Sequence, residues 1–193
     1  MHHVMPWLLL GFCSAQDAAP PANSIARFGT TVVKSSGLRG DIYDIPARSS
    51  KLPNFRKLTP IGTIYTTVLN VPPTEFTSGF PGVTDRFEWF AINYTGRFWI
   101  EHPGAYRFSL LSDDGAKLYV DNHVVINNDG VHPPLTRVAK LNLTSGVHRI
   151  RIAYFQGPRT EVALILSVAG SGEDWRIFDM DEFGPPAGAD DGK

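Results

Sequence analysis

Two adjacent carboxylates, Asp113 and Asp114, lie between an alternating apolar stretch that ends at Ser112 and a second one that begins just past Gly115. Paired carboxylates at a junction between strands make a compact, oxygen-rich site, which suits a hard cation such as Ca2+. The same four residues are also good turn chemistry, because Asp accepts local backbone hydrogen bonds and Gly takes positive φ. A metal-dependent ligand site and a structural turn therefore both follow from Ser112-Asp113-Asp114-Gly115. Geometry separates them. In an extended trans strand successive side chains point to opposite faces, so adjacent aspartates diverge.

A second polar run, Asn127-Asn128-Asp129-Gly130 with His132 close behind, follows fourteen residues later. An EF-hand does not fit it: with Gly130 as the loop glycine, Val125 takes the first ligand position and Thr136 the closing acid. Asp129-Gly130 reads as a turn. Folded beside the aspartates, Asn128, Asp129 or His132 would touch a bound ligand. The six histidines show no paired metal-ligand spacing. His148, within an alternating stretch, reads as a hydrogen-bonded structural residue.

The chain is expected to be non-catalytic. Glycosidase carboxylates stand about 5–9.5 Å apart and flank a bond, whereas neighbours converging on one point flank nothing. The sequence also contains no nucleophile elbow, phosphate loop or zinc signature.

The elements around these residues have a period of two. Tyr106, Phe108 and Leu110 alternate with Arg107 and Ser109, and His148, Ile150, Ile152 and Tyr154 alternate with Arg149, Arg151 and Ala153. Val162, Leu164, Leu166 and Val168 continue the pattern. Pro103-Gly104, Asp121-Asn122, Asp129-Gly130, Ser145-Gly146 and Gly157-Pro158 punctuate it. Short strands at this spacing predict an all-β fold, an antiparallel sandwich or barrel. Fifteen prolines and eighteen glycines in 193 residues discourage long helices. Upstream, Gly37–Tyr43 and Gly62–Val68 read as strands joined by long connections rich in Pro, Ser and Thr. Phe87, Trp89 and Phe90 read as core aromatics. Arg39-Gly40-Asp41 spells a cell-adhesion tripeptide, but so short a match arises readily by chance, and Leu38 and Ile42 around it indicate a strand.

At the front, Val4–Phe12 is a short apolar run and Cys13-Ser14-Ala15 supplies small residues for cleavage. Residues 1–15 read as a signal peptide, although no Lys or Arg precedes the run. The run is too short to span a bilayer. Cleavage after Ala15 would remove the only cysteine, and with it any disulfide or thiolate metal site. Export to the periplasm, the extracellular space or the cell surface is the expected destination, with no membrane insertion after cleavage. Residues 16–24 read as a flexible lead-in, 25–183 as a single domain and 184–193 as a disordered tail. A formal net charge of -1 without a basic cluster argues against nucleic acid and anionic membranes as partners.

Gly96–Ile100, Gly104–Leu110, the Ser-Asp-Asp-Gly run, Lys117–Asp121, Val125–Gly130 and Gly146–Tyr154, in this order and spacing, resemble the protective-antigen (PA14) domain family. The resemblance is clearest from Phe87 to Val168. It implies a PA14-type β-sandwich of secreted and cell-surface proteins, usually non-catalytic. Some members are lectins in which two neighbouring aspartates joined by a cis peptide hold Ca2+, which in turn chelates sugar hydroxyls. By position these would be Asp113 and Asp114, with Ca2+ as cofactor and a glycan or polysaccharide as partner. A metal-free structural or adhesion domain contacting a cell-envelope protein is the alternative. Those lectins complete the metal shell from a second loop, often with an asparagine. Here the comparable loop is Gln156-Gly157-Pro158-Arg159-Thr160, where Gln156 is the amide on offer and Arg159 is an unfavourable neighbour for a metal unless it points away.

Overall fold

Alternation fixes which side of each strand is buried, and the computed structural model builds two antiparallel sheets around those buried sides. It describes residues 37–77, 79–83 and 87–186. The stretches read as a signal peptide and a lead-in, the start of the 25–183 domain and most of the proposed tail lie outside the described residues.

The strands are β1 (Leu38–Asp44), β2 (Gly62–Thr66), β3 (Asn70–Glu75), β4 (Phe90–Ile100), β5 (Gly104–Asp113), β6 (Ala116–Val120), β7 (His123–Asn128), β8 (Leu135–Leu143), β9 (Gly146–Gln156), β10 (Glu161–Ala169) and β11 (Arg176–Ile177). One sheet runs β2-β1-β4-β9-β6-β7. The other runs β11-β10-β5-β8, with β3 also paired to β10. Facing side chains fill the space between the sheets: Tyr94, Phe98, Phe108, Leu118, Ile152, Tyr154 and Leu166 are among the core residues with almost no exposure. Phe90 joins this core and Phe87 packs at its edge, as the sequence suggested, while Trp89 lies against a smaller cluster around Ile45, Ala91 and Phe155.

β3 departs from the expectation. Asn70–Glu75, which the sequence reading did not assign, is a strand in spite of Pro72 and Pro73. Proline cannot donate to a ladder, so it is confined to edges and irregular pairings. β3 meets both conditions: one neighbour, β10, and a register shift between Val162 and Leu164.

The connections position the site. Three of the passages from one sheet to the other lie between β5 and β6, between β7 and β8, and between β9 and β10. Ala116 lies opposite both Asn128 and Tyr154, Ser112 opposite Leu135, and Asp113 opposite Ala163, so all three crossings gather at one end of the sandwich.

Candidate functional site

Asp113 closes β5, and the peptide joining it to Asp114 is cis. Both side chains are almost wholly buried, at 2% and 3% exposure. The backbone of the two other crossings closes around them. Asp114 Oδ1 accepts the His132 N–H at 3.1 Å from the β7–β8 loop, and its Oδ2 accepts the Gly157 N–H at 2.7 Å from the β9–β10 loop. The Gln156 amide donates to Asp114 Oδ2 at 3.4 Å and also bears on the Asp113 carboxyl.

Two glycines make this closeness possible. A Cβ on Gly157 would stand 2.9 Å from Asp114 Oδ2, and one on Gly115 would stand 2.3 Å from the Phe155 ring and 2.8 Å from the Gly130 nitrogen. Neither position tolerates a side chain without something moving. Tyr154 anchors the floor: its buried hydroxyl contacts the Asp113 carbonyl at 2.8 Å and the Gln156 side-chain oxygen.

Electrostatically the pair is uncomfortable. Burial, reinforced by the neighbouring Asp114 and then by Glu161, pushes the Asp113 carboxyl up to about 7. Burial also raises Asp114, against the pull of the Gly157 and His132 N–H groups. Two acids that resist ionisation side by side are a favourable setting for a cation.

The remaining sequence candidates divide. Asn128 is 3% exposed, and its Nδ2 donates to Ser112 Oγ at 2.9 Å and to the Leu135 carbonyl at 2.8 Å. Its Oδ1 is buried and finds no donor among the described residues. His132 reaches Asp114 through its backbone, while its ring nitrogens lie against the carbonyls of Pro133 and Asn128. Asp129 is turned to other work: Lys117 Nζ sits 2.7 Å from one oxygen and the Leu52 N–H donates to the other at 2.8 Å. Arg159 does point away from the pair, lying 4.3 Å from the Phe87 ring centroid and donating to the Phe76 carbonyl at 3.3 Å.

Sequence reasoning missed Tyr154 and Glu161 as parts of this site, and named Gly157 only as a member of the comparable loop. Alternation marked Tyr154 as core, which it is, and carried no signal that its hydroxyl supports both loops. Among the described residues no three His, Cys, Asp or Glu side chains group to hold a metal. A cation between Asp113 and Asp114 would therefore need neutral oxygens for the rest of its shell, from Asn128, backbone carbonyls, water or a ligand. Ca2+, which takes about six to eight oxygens and accepts carbonyls and water, is compatible with such a donor set.

A two-sheet antiparallel sandwich with an acidic, loop-enclosed end defines the structural class. The PA14 domain matches over residues 34–180, and the chain belongs to that family. Among solved structures, it is similar to a PA14 sugar-binding domain from an RTX adhesin, with 19% identity, a TM-score of 0.61, and coverage of 76% of this chain and 96% of that one. The adhesin domain Epa9A of Candida glabrata, solved with Galb1-3GlcNAc, has 14% identity and a TM-score of 0.55, covering 77% of this chain and 88% of that one. An anti-sigma factor domain-containing protein has 19% identity and a TM-score of 0.62 over 79% of this chain. This chain spans 49% of that protein's length. Curated proteins offer no sequence match. No helix among the described residues is long and apolar enough to cross a membrane.

Proposed function

We propose that this chain is a secreted or cell-surface, non-catalytic carbohydrate-binding module that holds Ca2+ between Asp113 and Asp114 and grips a sugar there. The observation that carries this reading is the buried pair of adjacent carboxylates enclosed by the β7–β8 and β9–β10 loops, whose raised proton affinity marks a site short of positive charge. When bound, Ca2+ would supply open coordination positions for vicinal sugar hydroxyls. The chain's own residues do the rest. The His132 and Gly157 N–H groups orient Asp114, Tyr154 and Gln156 brace the Asp113 side, and Asn128 offers a free carbonyl oxygen. The sugar-binding and adhesin neighbours support the same ligand class.

Catalysis by the pair does not suit this geometry, because two adjacent acids cannot stand on opposite sides of a glycosidic bond. Calcium titration calorimetry, followed by a glycan array with and without chelator, tests the proposal. The expected Kd is on the order of 10⁻⁴–10⁻³ M, as in extracellular calcium modules, with glycan signals that vanish in chelator. Glycan binding that persists in chelator would overturn the metal mechanism. Absence of both calcium and glycan binding would point instead to an adhesion domain with a cell-envelope protein partner.

A further inference from the structure

The outer face of the six-stranded sheet carries a second concentration of charge, far along the strands from the acidic end. Cross-strand register places Tyr65 opposite Arg39, Arg39 opposite Thr95, Thr95 opposite Arg151, and Arg151 opposite Tyr119. Directly opposed residues share a face, so these five form one row across five strands. Four gaps of about 4.8 Å make the row roughly 19 Å long. In the adjoining row Arg97 stands opposite Arg149. These residues line a groove of about 680 Å³ whose wall also includes Met180, Gly184 and Pro185. The sequence, with its near-neutral total charge, gave no sign of this cluster, because its four arginines come from three strands far apart in the chain.

The neighbouring acids do not pair with the Arg149 and Arg151 guanidinium groups. Asp41 pairs with Arg39 at 3.0 Å. Asp121 takes the His148 ring at 2.6 Å and the Arg149 backbone N–H at 2.9 Å, leaving the Arg149 guanidinium alone. Neither Arg149 nor Arg151 has a carboxylate partner among the described residues, and Arg151 instead lies 3.4 Å from the Tyr119 ring centroid. A guanidinium stacked in this way is held in place, and its planar fork matches carboxylate and sulfate groups.

We propose that this groove binds an acidic polysaccharide, a polymer of uronate or sulfated sugars lying across the strands, independently of the Asp113–Asp114 site. A sugar polymer fits better than a polynucleotide. Arg151 already covers Tyr119, so the row lacks the succession of open aromatic faces on which single-stranded nucleic acid stacks. Tyr65, 39% exposed at the end of the row, remains open to a sugar ring. A net charge of -1 supplies no general attractive field, so attraction of any polyanion depends on short-range pairing with these arginines.

The test is biolayer interferometry of the full chain, in EDTA, against immobilised polygalacturonate and dextran sulfate, with neutral dextran and oligo-dT as comparisons. Binding to at least one acidic polymer is expected, weakening steeply between about 50 mM and about 300 mM salt. Arg149→Gln/Arg151→Gln should weaken it about tenfold or more, while Asp113→Asn/Asp114→Asn should leave it unchanged. Thermal melting of each variant establishes that it is folded, and the salt dependence of the wild-type chain tests the proposal without any variant. The proposal is overturned by failure to bind either acidic polymer, by equal binding to neutral dextran, by undiminished binding of the folded arginine variant, or by oligo-dT binding as tightly as the polysaccharides. Loss of binding in EDTA or in the aspartate variant would transfer the ligand to the other site and equally overturn it.

Discussion

Asp113 and Asp121 end successive strands only eight residues apart, yet their surroundings act on them in opposite ways. Asp121 opens the β6–β7 hairpin, where it and Asn122 adopt positive φ, the backbone expected of a two-residue turn. Burial pushes its carboxyl up, but the His148 ring and the Arg149 N–H outweigh that and hold it below the usual carboxylate range. It is half-exposed, with both oxygens used. Asp113 is buried, faces a second acid, and is held up near 7. A turn aspartate built for stability thus has donors that outweigh its burial, whereas at Asp113 burial and a second acid outweigh the Gln156 amide. An Asp-rich turn in a sequence does not reveal which kind it is; the donors facing it do.

The largest effect that separates the two should be on metal binding. Asp113→Asn/Asp114→Asn should weaken calcium binding by about 100-fold or more, since it removes both anionic ligands at once. Asp121→Asn should change it by less than about twofold, as its charge is spent on His148 and is screened by solvent. Calorimetry on the three proteins measures both. Equal losses would erase the distinction.

A large effect on the fold is expected at the glycine that lets the crossings meet. Gly115→Ala should cost about 2–3 kcal/mol in denaturant unfolding, because the added methyl collides with Phe155 and the Gly130 backbone. Gly104→Ala, at the far end of β5 with no atom within 4 Å of the new methyl, should change stability by less than about 0.5 kcal/mol. Similar costs at both glycines would mean that the packing around the acidic end is no tighter than at an open strand start.

These contrasts also mark what the sequence could disclose. The sandwich was legible because apolar residues recur at every second position along much of β5, β9 and β10, and alternation is a direct record of which face is buried. β3 was hidden because two prolines outweigh any strand signal until the edge position that tolerates them is known. Asp113 and Asp114 announced themselves by adjacency. Asp129 read as a turn residue that would touch a ligand if its loop folded beside the pair, but its fate depends on Leu52, 77 residues away, and no local pattern encodes that contact. The arginine face was invisible for the same reason: register, not spacing, brings Arg39, Arg97, Arg149 and Arg151 together.

The opposite proton affinities give the pair a pH signature of intermediate size. Calcium must displace the proton that Asp113 retains below about 7, so its affinity should fall about tenfold for each pH unit below that value. Titrations at several pH values between about 5 and about 8 check this. In the metal-free protein the same group acts on stability with a defined sign. The folded state holds its proton more tightly than the unfolded state, so Asp113's contribution is fullest near the unfolded carboxylate value and is lost as pH rises through about 7. Asp113→Asn should therefore stabilise the chelated protein at about pH 8 while abolishing its calcium response. A flat calcium affinity across the range would mean that Asp113 ionises normally, and the contrast with Asp121 would collapse.

The smallest expected effect belongs to Asp121 itself and has the opposite pH dependence. Its depressed proton affinity contributes stability above the ordinary carboxylate range, and that contribution disappears as pH falls through the folded value. Asp121→Asn keeps the turn geometry and much of the hydrogen bonding to His148 and Arg149 but removes the charge. Because the side chain is half-exposed and water screens it, the cost should be no more than about 1 kcal/mol near neutral pH. Denaturant unfolding at about pH 7 and at successively lower pH should show the wild-type advantage at the first and its decline as pH falls below the ordinary carboxylate range. An advantage that survives at low pH would assign the role of Asp121 to turn conformation rather than to charge, leaving Asp113 as the member of the pair whose ionisation governs behaviour.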